Sequence, residues 1–197
     1  ADVCIVGAGY TGLSAAIELA EQGLKVVVLE SHRVGAGASG RNGGVLGMGQ
    51  RKDQDELEVM LGLDVAKQMW QVACDANGLV RDRIKRYAID CDLTDGELHV
   101  AHRERYVDDL RRYNDHLAEH YGYTERRHVS REEVRAMLGV DSFYGGALDF
   151  RSAHIHPLNL ALGLARAAKT LGVQIFERSA VLDYQNPATD QVLAKTA

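Results

Sequence analysis

No apolar run in this sequence approaches the ~20 residues a helix needs to cross a bilayer, so no membrane-spanning helix is expected. Cysteine is scarce and odd in number: Cys4, Cys74 and Cys91 are the only three in 197 residues. They stand far apart, which argues against a disulfide framework and against a zinc site, and fits a reducing, cytoplasmic setting. The eight histidines show no HExxH or comparable ligand spacing, so no metal is expected either. A surplus of positive charge is also missing. With 23 basic and 28 acidic residues the net charge is −5, leaving no field that would draw in nucleic acid or an anionic membrane. What remains is ordinary globular composition, 46% hydrophobic and 26% charged, long enough for one large or two small domains.

The opening segment is far more specific. Val3-Cys4-Ile5-Val6 is a short β-branched run that reads as a buried parallel strand. Gly7-Ala8-Gly9-Tyr10-Thr11-Gly12 follows, a GxGxxG sequence, and then Leu13, Ala16, Ile17 and Ala20 recur at helical spacing until Gly23. Val26-Val27-Val28-Leu29 is a second strand, closed by Glu30. Each piece has a physical task in holding a dinucleotide. Gly7 permits the tight strand-to-helix turn, Gly9 lets a pyrophosphate approach bare backbone, and Gly12 lets helix and strand pack closely. The helix N-terminus offers free N–H groups, at Tyr10 and Thr11 among others, and the positive end of its dipole. Glu30 would accept hydrogen bonds from ribose hydroxyls. A lone GxGxxG is weak; one set between strand and helix, with an acid ending the next strand, indicates dinucleotide binding.

The sequence after Glu30 separates FAD from NAD. A nicotinamide dehydrogenase would continue with another helix and strand. Here Ser31-His32-Arg33-Val34-Gly35-Ala36-Gly37-Ala38-Ser39-Gly40-Arg41-Asn42-Gly43-Gly44 has too little side chain to build a core. Such a run suits backbone that lies against a large flat ligand and donates N–H groups to it.

The remaining chain is legible in outline. Leu57, Met60 and Leu61, then Ala66, Met69, Trp70 and Ala73, keep a helical apolar stripe, with a second helical piece from Leu79 to Tyr87 after Gly78. Thr94-Asp95-Gly96 suggests a hairpin within 93–101. Tyr106, Leu110, Tyr113, Leu117 and Tyr121 share one face of a helix stopped by Gly122; such a stripe reads as core packing. Ser130-Arg131-Glu132-Glu133 is a capping box, and Phe143 to Phe150 reads as a strand. Pro157 opens another helix, with Leu160, Leu164, Ala168 and Leu171 down one face to Gly172. Strands at 173–176 and 180–184 then suggest a return to the nucleotide-binding sheet. The fold class is therefore α/β: a Rossmann-like dinucleotide-binding domain with a parallel sheet, from residues 1–85 and 151–197. Residues 86–150 form part of an α+β substrate domain. His99, His102, His116, His120 and His128 read as solvated, His154 and His156 as structural or capping. The arginines at 81, 83, 86, 111, 112, 126 and 127 read as surface charge.

Val-Gly-Ala-Gly-Tyr-Thr-Gly-Leu-Ser, then Val-Leu-Glu and Gly-Ala-Ser-Gly-Arg-Asn-Gly-Gly, resembles the D-amino-acid oxidase superfamily of FAD-dependent oxidoreductases. The stretches Arg83–Asp92 and His154–Ala161 place the likeness closest to its γ-glutamylputrescine oxidases, and it covers the whole chain. The resemblance implies an FAD enzyme that oxidises a primary amine to an aldehyde, ammonia and hydrogen peroxide, with dioxygen as second substrate. It implies that Ser39, Gly40, Arg41, Asn42, Gly43 and Gly44 run along the isoalloxazine edge, and that Val181 offers main-chain bonds to the adenine. The cofactor set becomes Gly7, Gly9, Tyr10, Thr11, Gly12, Glu30, Ser31, His32, Arg33, Gly37, Ala38, Ser39, Gly40, Arg41, Asn42, Gly43, Gly44 and Val181. No residue is a convincing general base, and none marks a covalent flavin attachment. Members of the superfamily are roughly twice this length, which implies an amino-terminal half that alone retains FAD poorly, turns over little and self-associates. Oxidation of glycine or a D-amino acid, and a non-catalytic nucleotide-binding piece, remain the alternative readings.

Overall fold

The structure, a computed structural model of the chain, describes residues 1–188 and 191–197. Its Cα packing divides the chain into two units. Ala1–Gly44, Asp82–Asp92 and His156–Ala197 form one; Val45–Arg81 and Leu93–Ile155 form the other. The sequence reading assigns all of 1–85 to the first domain, but residues 45–81 pack with the second unit. There Trp70 and Cys74 find their apolar partners on residues 113–123.

The first unit begins as expected. Strand β1 (Val3–Val6) leads into helix α1 (Tyr10–Glu21), and β2 (Val26–Leu29) returns beside β1 in parallel, with Val3 opposite Val26 and Val6 opposite Leu29. Leu13, Ala16 and Ile17 are wholly buried on α1; each large side chain among them contributes about 1.5–3 kcal/mol. Helix α6 (Pro157–Thr170) packs against α1 through a stripe of small residues and leucines, and β7 (Gln174–Phe176) joins β2 in parallel. The sheet order is thus β1-β2-β7. Two expectations change here. β1 is an edge strand of alternating exposure, so Cys4 is exposed, not buried, while Ile5 faces the α1 side near Gly12. Strand β8 (Val181–Ala188) does not enter the parallel sheet; it pairs antiparallel with β9 (Gln191–Thr196).

The second unit is built on β6 (Gly146–His154), which pairs antiparallel with β3 (Val45–Leu46), β4 (Thr94–Val100) and β5 (Arg126–Val129). Helices α2 (Gln54–Leu61), α4 (Arg105–Tyr121) and α5 (Arg131–Leu138) belong to this unit, and α3 (Leu63–Arg86) begins in it. The helix break falls at Gly62, with φ +83°, and α3 runs on through Gly78. Thr94-Asp95-Gly96 is no hairpin: Gly96, with φ +104°, serves a bulge inside one continuous strand. The capping box at Ser130 is present, with Glu133 N–H donating to the Ser130 hydroxyl and Ser130 N–H to the Glu133 carboxylate.

The stripe of α4 is core only in its second half: Leu117 is buried, with Tyr113 and Tyr121 partly buried beside it, whereas Tyr106 and Leu110 line an open cavity. Trp70, Leu117 and Tyr123 are buried together, and the Trp70 ring lies 5.4 Å from Tyr121 and 5.1 Å, edge-on, from Tyr123. Tyr123 donates to Asp149 at 2.7 Å, and the same carboxylate oxygen accepts the N–H groups of Arg151 and Ser152. Burial, then the Asp149 carboxylate, pushes the Tyr123 hydroxyl pKa up. The charged residues are less solvated than the sequence suggests. Arg83 is 6% exposed and pairs with Glu18, while His116 contacts Glu58 at 2.8 Å. His128 is half-buried, with Nδ1 enclosed and without a hydrogen-bond partner among the described residues.

Candidate functional site

Every sequence-predicted site residue falls in the first unit. The turn after β1 is drawn tight by Gly7, whose φ of +101° favours glycine and whose N–H donates to Leu29 O at 2.8 Å. A Cβ on Gly12 would sit on the Gly7 carbonyl oxygen, so only glycine lets α1 start where it does. Gly9 caps α1 in extended backbone, with no side chain of its own to cap the helix and no acid in the first turn to offset the positive end of the dipole. Thr11 is exposed on that turn.

The glycine run folds back over this helix start. Its short 3-10 turn, Ala38–Gly40, follows Gly37 and places the Ser39 hydroxyl 3.0 Å from the Tyr10 N–H. A Cβ on Gly9 would lie 2.9 Å from that hydroxyl. The absence of a side chain at Gly9 is therefore what lets Ser39 reach the helix terminus. Tyr10 turns its own hydroxyl away, donating to Pro157 O at 2.8 Å at the start of α6. Asn42 braces the run internally: its amide donates to Ala38 O and Ser39 O, and its oxygen accepts the Gly44 N–H at 2.8 Å. Gly44 is buried with φ +76°; Gly43 is exposed.

Glu30 closes the opposite side. One carboxylate oxygen accepts the Ala8 N–H at 2.7 Å; the other accepts the His32 N–H at 2.8 Å and the Ser31 hydroxyl at 3.2 Å. Burial pushes its pKa upward, but these bonds outweigh burial and hold it below the ordinary carboxylate value. The carboxylate is thus charged, fixed and beside the first glycine turn. His32, Arg33 and Arg41 line a recess of about 460 Å³ with Ala36 and Arg178.

Arg178 escaped the sequence reading. It follows β7 with φ +54°, and its N–H donates to His32 O, while the Ser179 N–H donates to Glu30 O at 2.8 Å. Those bonds stitch the segment entering Val181 onto the end of β2. Nothing local in the sequence foretells them, because the partners lie far apart in the chain.

The residues present fit a dinucleotide: a cradle that a Cβ would fill, a helix N-terminus with no acid in its first turn, a fixed acid, and a stretch of bare main chain between them. Comparisons with known proteins agree. The family model for FAD-dependent oxidoreductases of the DAO family matches residues 2–197. The chain is 43% identical to the "Probable oxidoreductase OrdL" of Haemophilus influenzae, over 100% of this chain and 46% of that one. It is 41% identical to the gamma-glutamylputrescine oxidoreductase of Escherichia coli, over 100% of this chain and 45% of that one. The chain thus spans about half the length of these relatives. Among solved structures it resembles glycine oxidase from Geobacillus kaustophilus, with TM-score 0.74 and 24% identity over 98% of this chain and 53% of that one. L-amino acid deaminase from Proteus vulgaris gives TM-score 0.78 and 21% identity over 100% and 46%. These two likenesses speak to the fold. By sequence, fold and the geometry around Gly9 and Glu30, the chain belongs to the DAO family of FAD-dependent oxidoreductases.

Proposed function

We propose that this chain supplies the FAD-holding part of a cytoplasmic amine oxidase acting on a primary amine of the γ-glutamylputrescine type. The products are an aldehyde, ammonia and hydrogen peroxide, with water and dioxygen consumed. Bound FAD would supply the redox chemistry, accepting the electron pair from the carbon beside the amine and passing it to dioxygen. The observation that carries the reading is Ser39 seated on the Tyr10 N–H over the bare Cα of Gly9, with Glu30 fixed across the turn. The similarity to the E. coli gamma-glutamylputrescine oxidoreductase supports the substrate class.

Within this proposal the first unit is the FAD-binding domain and the second faces the substrate. Gly7, Gly9 and Gly12 with the α1 N-terminus take the pyrophosphate, helped by Tyr10 and Thr11 main chain. Glu30 takes the ribose hydroxyls, assisted by Ser31 and His32, and Val181 main chain takes the adenine. The run from Gly37 through Ser39 to Gly44, with Arg33, Arg41 and Asn42, lies along the remaining length of the cofactor. Alone, the chain retains FAD weakly, and Val6, Phe176 and Tyr184, exposed at 67%, 48% and 72%, favour its association with itself.

The test is a flavin titration of the chain, and of the longer protein carrying it, followed by anaerobic addition of γ-glutamylputrescine, glycine and D-alanine. Flavin bleaching by γ-glutamylputrescine is the expected outcome in the longer protein. Bleaching by glycine or D-alanine instead would move the substrate class. Failure of both proteins to quench flavin fluorescence would overturn the reading.

A further inference from the structure

Arg178 belongs to the first unit, and the flavin reading gives its side chain no task. It stands just past β7 with φ +54°, a left-handed backbone that glycine would adopt more easily. A long side chain kept on such backbone is a cost, and costs of this kind gather where ligands are held. The turn itself is fixed by main chain. The Arg178 N–H donates to His32 O at 2.9 Å, and the Ser179 N–H to Glu30 O at 2.8 Å. Neither bond needs the guanidinium.

The Arg178 side chain is exposed and lines the recess of about 460 Å³ together with His32, Arg33, Ala36 and Arg41. Two acids belong to the same stitched segment, and both are bonded elsewhere. Glu30 holds the Ala8 and His32 N–H groups and the Ser31 hydroxyl, while Glu177 accepts the Val34 N–H at 2.8 Å. Among the described residues no acid pairs with Arg178, nor with Arg33 or Arg41. Position singles out Arg178 from the other two. From the glycine turn the bonds run in order: Ala8 to one oxygen of Glu30, His32 to the other, and Arg178 to the His32 carbonyl. A dinucleotide runs from pyrophosphate to ribose to adenine. With pyrophosphate at the turn and ribose on Glu30, Arg178 falls at the place of the base, three residues before Val181.

We propose that the Arg178 guanidinium packs flat on the adenine ring of FAD, an assignment that rests on the flavin reading and extends it. A planar, delocalised cation stacks on a π face without needing a hydrogen bond there. The Val181 main chain then meets the ring edge while Arg178 covers its face. The contact serves binding alone and takes no part in electron transfer.

Calorimetric titration of the chain, and of the longer protein carrying it, with FAD, ADP and inorganic pyrophosphate tests the assignment. Arg178→Gly suits the left-handed backbone and removes only the side chain. It is expected to weaken FAD and ADP about tenfold, to leave pyrophosphate unaltered, and to keep the urea midpoint at or above that of the unaltered chain. Arg178→Lys, which keeps the charge but loses the plane, should recover only part of the affinity. Pyrophosphate weakened as much as ADP would make Arg178 a phosphate ligand and overturn the proposal. Unchanged FAD affinity in Arg178→Gly would overturn it too, as would a lowered midpoint, the mark of a structural role. Should the unaltered proteins bind neither FAD nor ADP, the flavin reading itself would fall and this inference with it.

Discussion

Gly12 and Glu30 show how single residues decide the geometry of the glycine turn. A methyl group at Gly12 would meet the Gly7 carbonyl, which is backbone and cannot step aside. Gly12→Ala is therefore expected to destabilise the chain by about 1–3 kcal/mol, the usual range for forced overpacking, read as a lowered urea midpoint. Glu30 gives a signed pH effect. Its folded pKa is held below 4.5, so its contribution is present above that value and fades as pH falls through the folded one. Glu30→Gln should flatten the acid limb of stability against pH; an unchanged acid limb would show that the Ala8 and His32 bonds carry no net weight. The place of Glu30 at the end of β2 was readable from the strand that precedes it. The seating of Ser39 on Tyr10 was not, since it depends on a reversal of the chain within a run that has almost no side chains to read.

Elements were legible where a local signal agrees with its surroundings. β1, α1 and β2 follow from an apolar run, a glycine turn and a helical stripe, and the Ser130 capping box appears as written. The errors lie where one local signal serves two structures. Gly78 resembles a helix stop, yet α3 passes through it because α3 is long and the second unit already binds its flank. The chain breaks at Gly62, where positive φ is required. Nothing lies within 4 Å of a Cβ built at Gly78. Gly78→Ala is thus expected to raise stability by about 0.5–1 kcal/mol; a loss on thermal melting would mean that α3 needs to flex there. β5 escaped notice because Arg126-Arg127-His128-Val129 has no apolar alternation. Its place is dictated by pairing with β6, a long-range fact.

At the scale of the whole molecule, buried and half-buried tyrosines set an alkaline limit. Burial, then the Glu58 carboxylate, pushes Tyr121 up to about 12, and Tyr113 and Tyr123 are also raised, burial again the largest cause. A raised folded pKa means the contribution is full below 10.0 and is lost as pH climbs toward about 12. Urea midpoints should therefore fall as pH rises above 10.0, and less steeply in Tyr121→Phe. A flat profile would mean these hydroxyls ionise as freely folded as unfolded. The division into two units was only partly foreseen, because periodicity marks a helix but does not say which sheet will receive it.

Trp70 is the sole tryptophan of the sequence, and it belongs entirely to the second unit. Its emission is consequently a private optical channel for that unit, while circular dichroism sums over both. Denaturation traces from the two signals that superimpose would identify one cooperative body; traces that separate would show that the nucleotide-cradling unit melts on its own schedule.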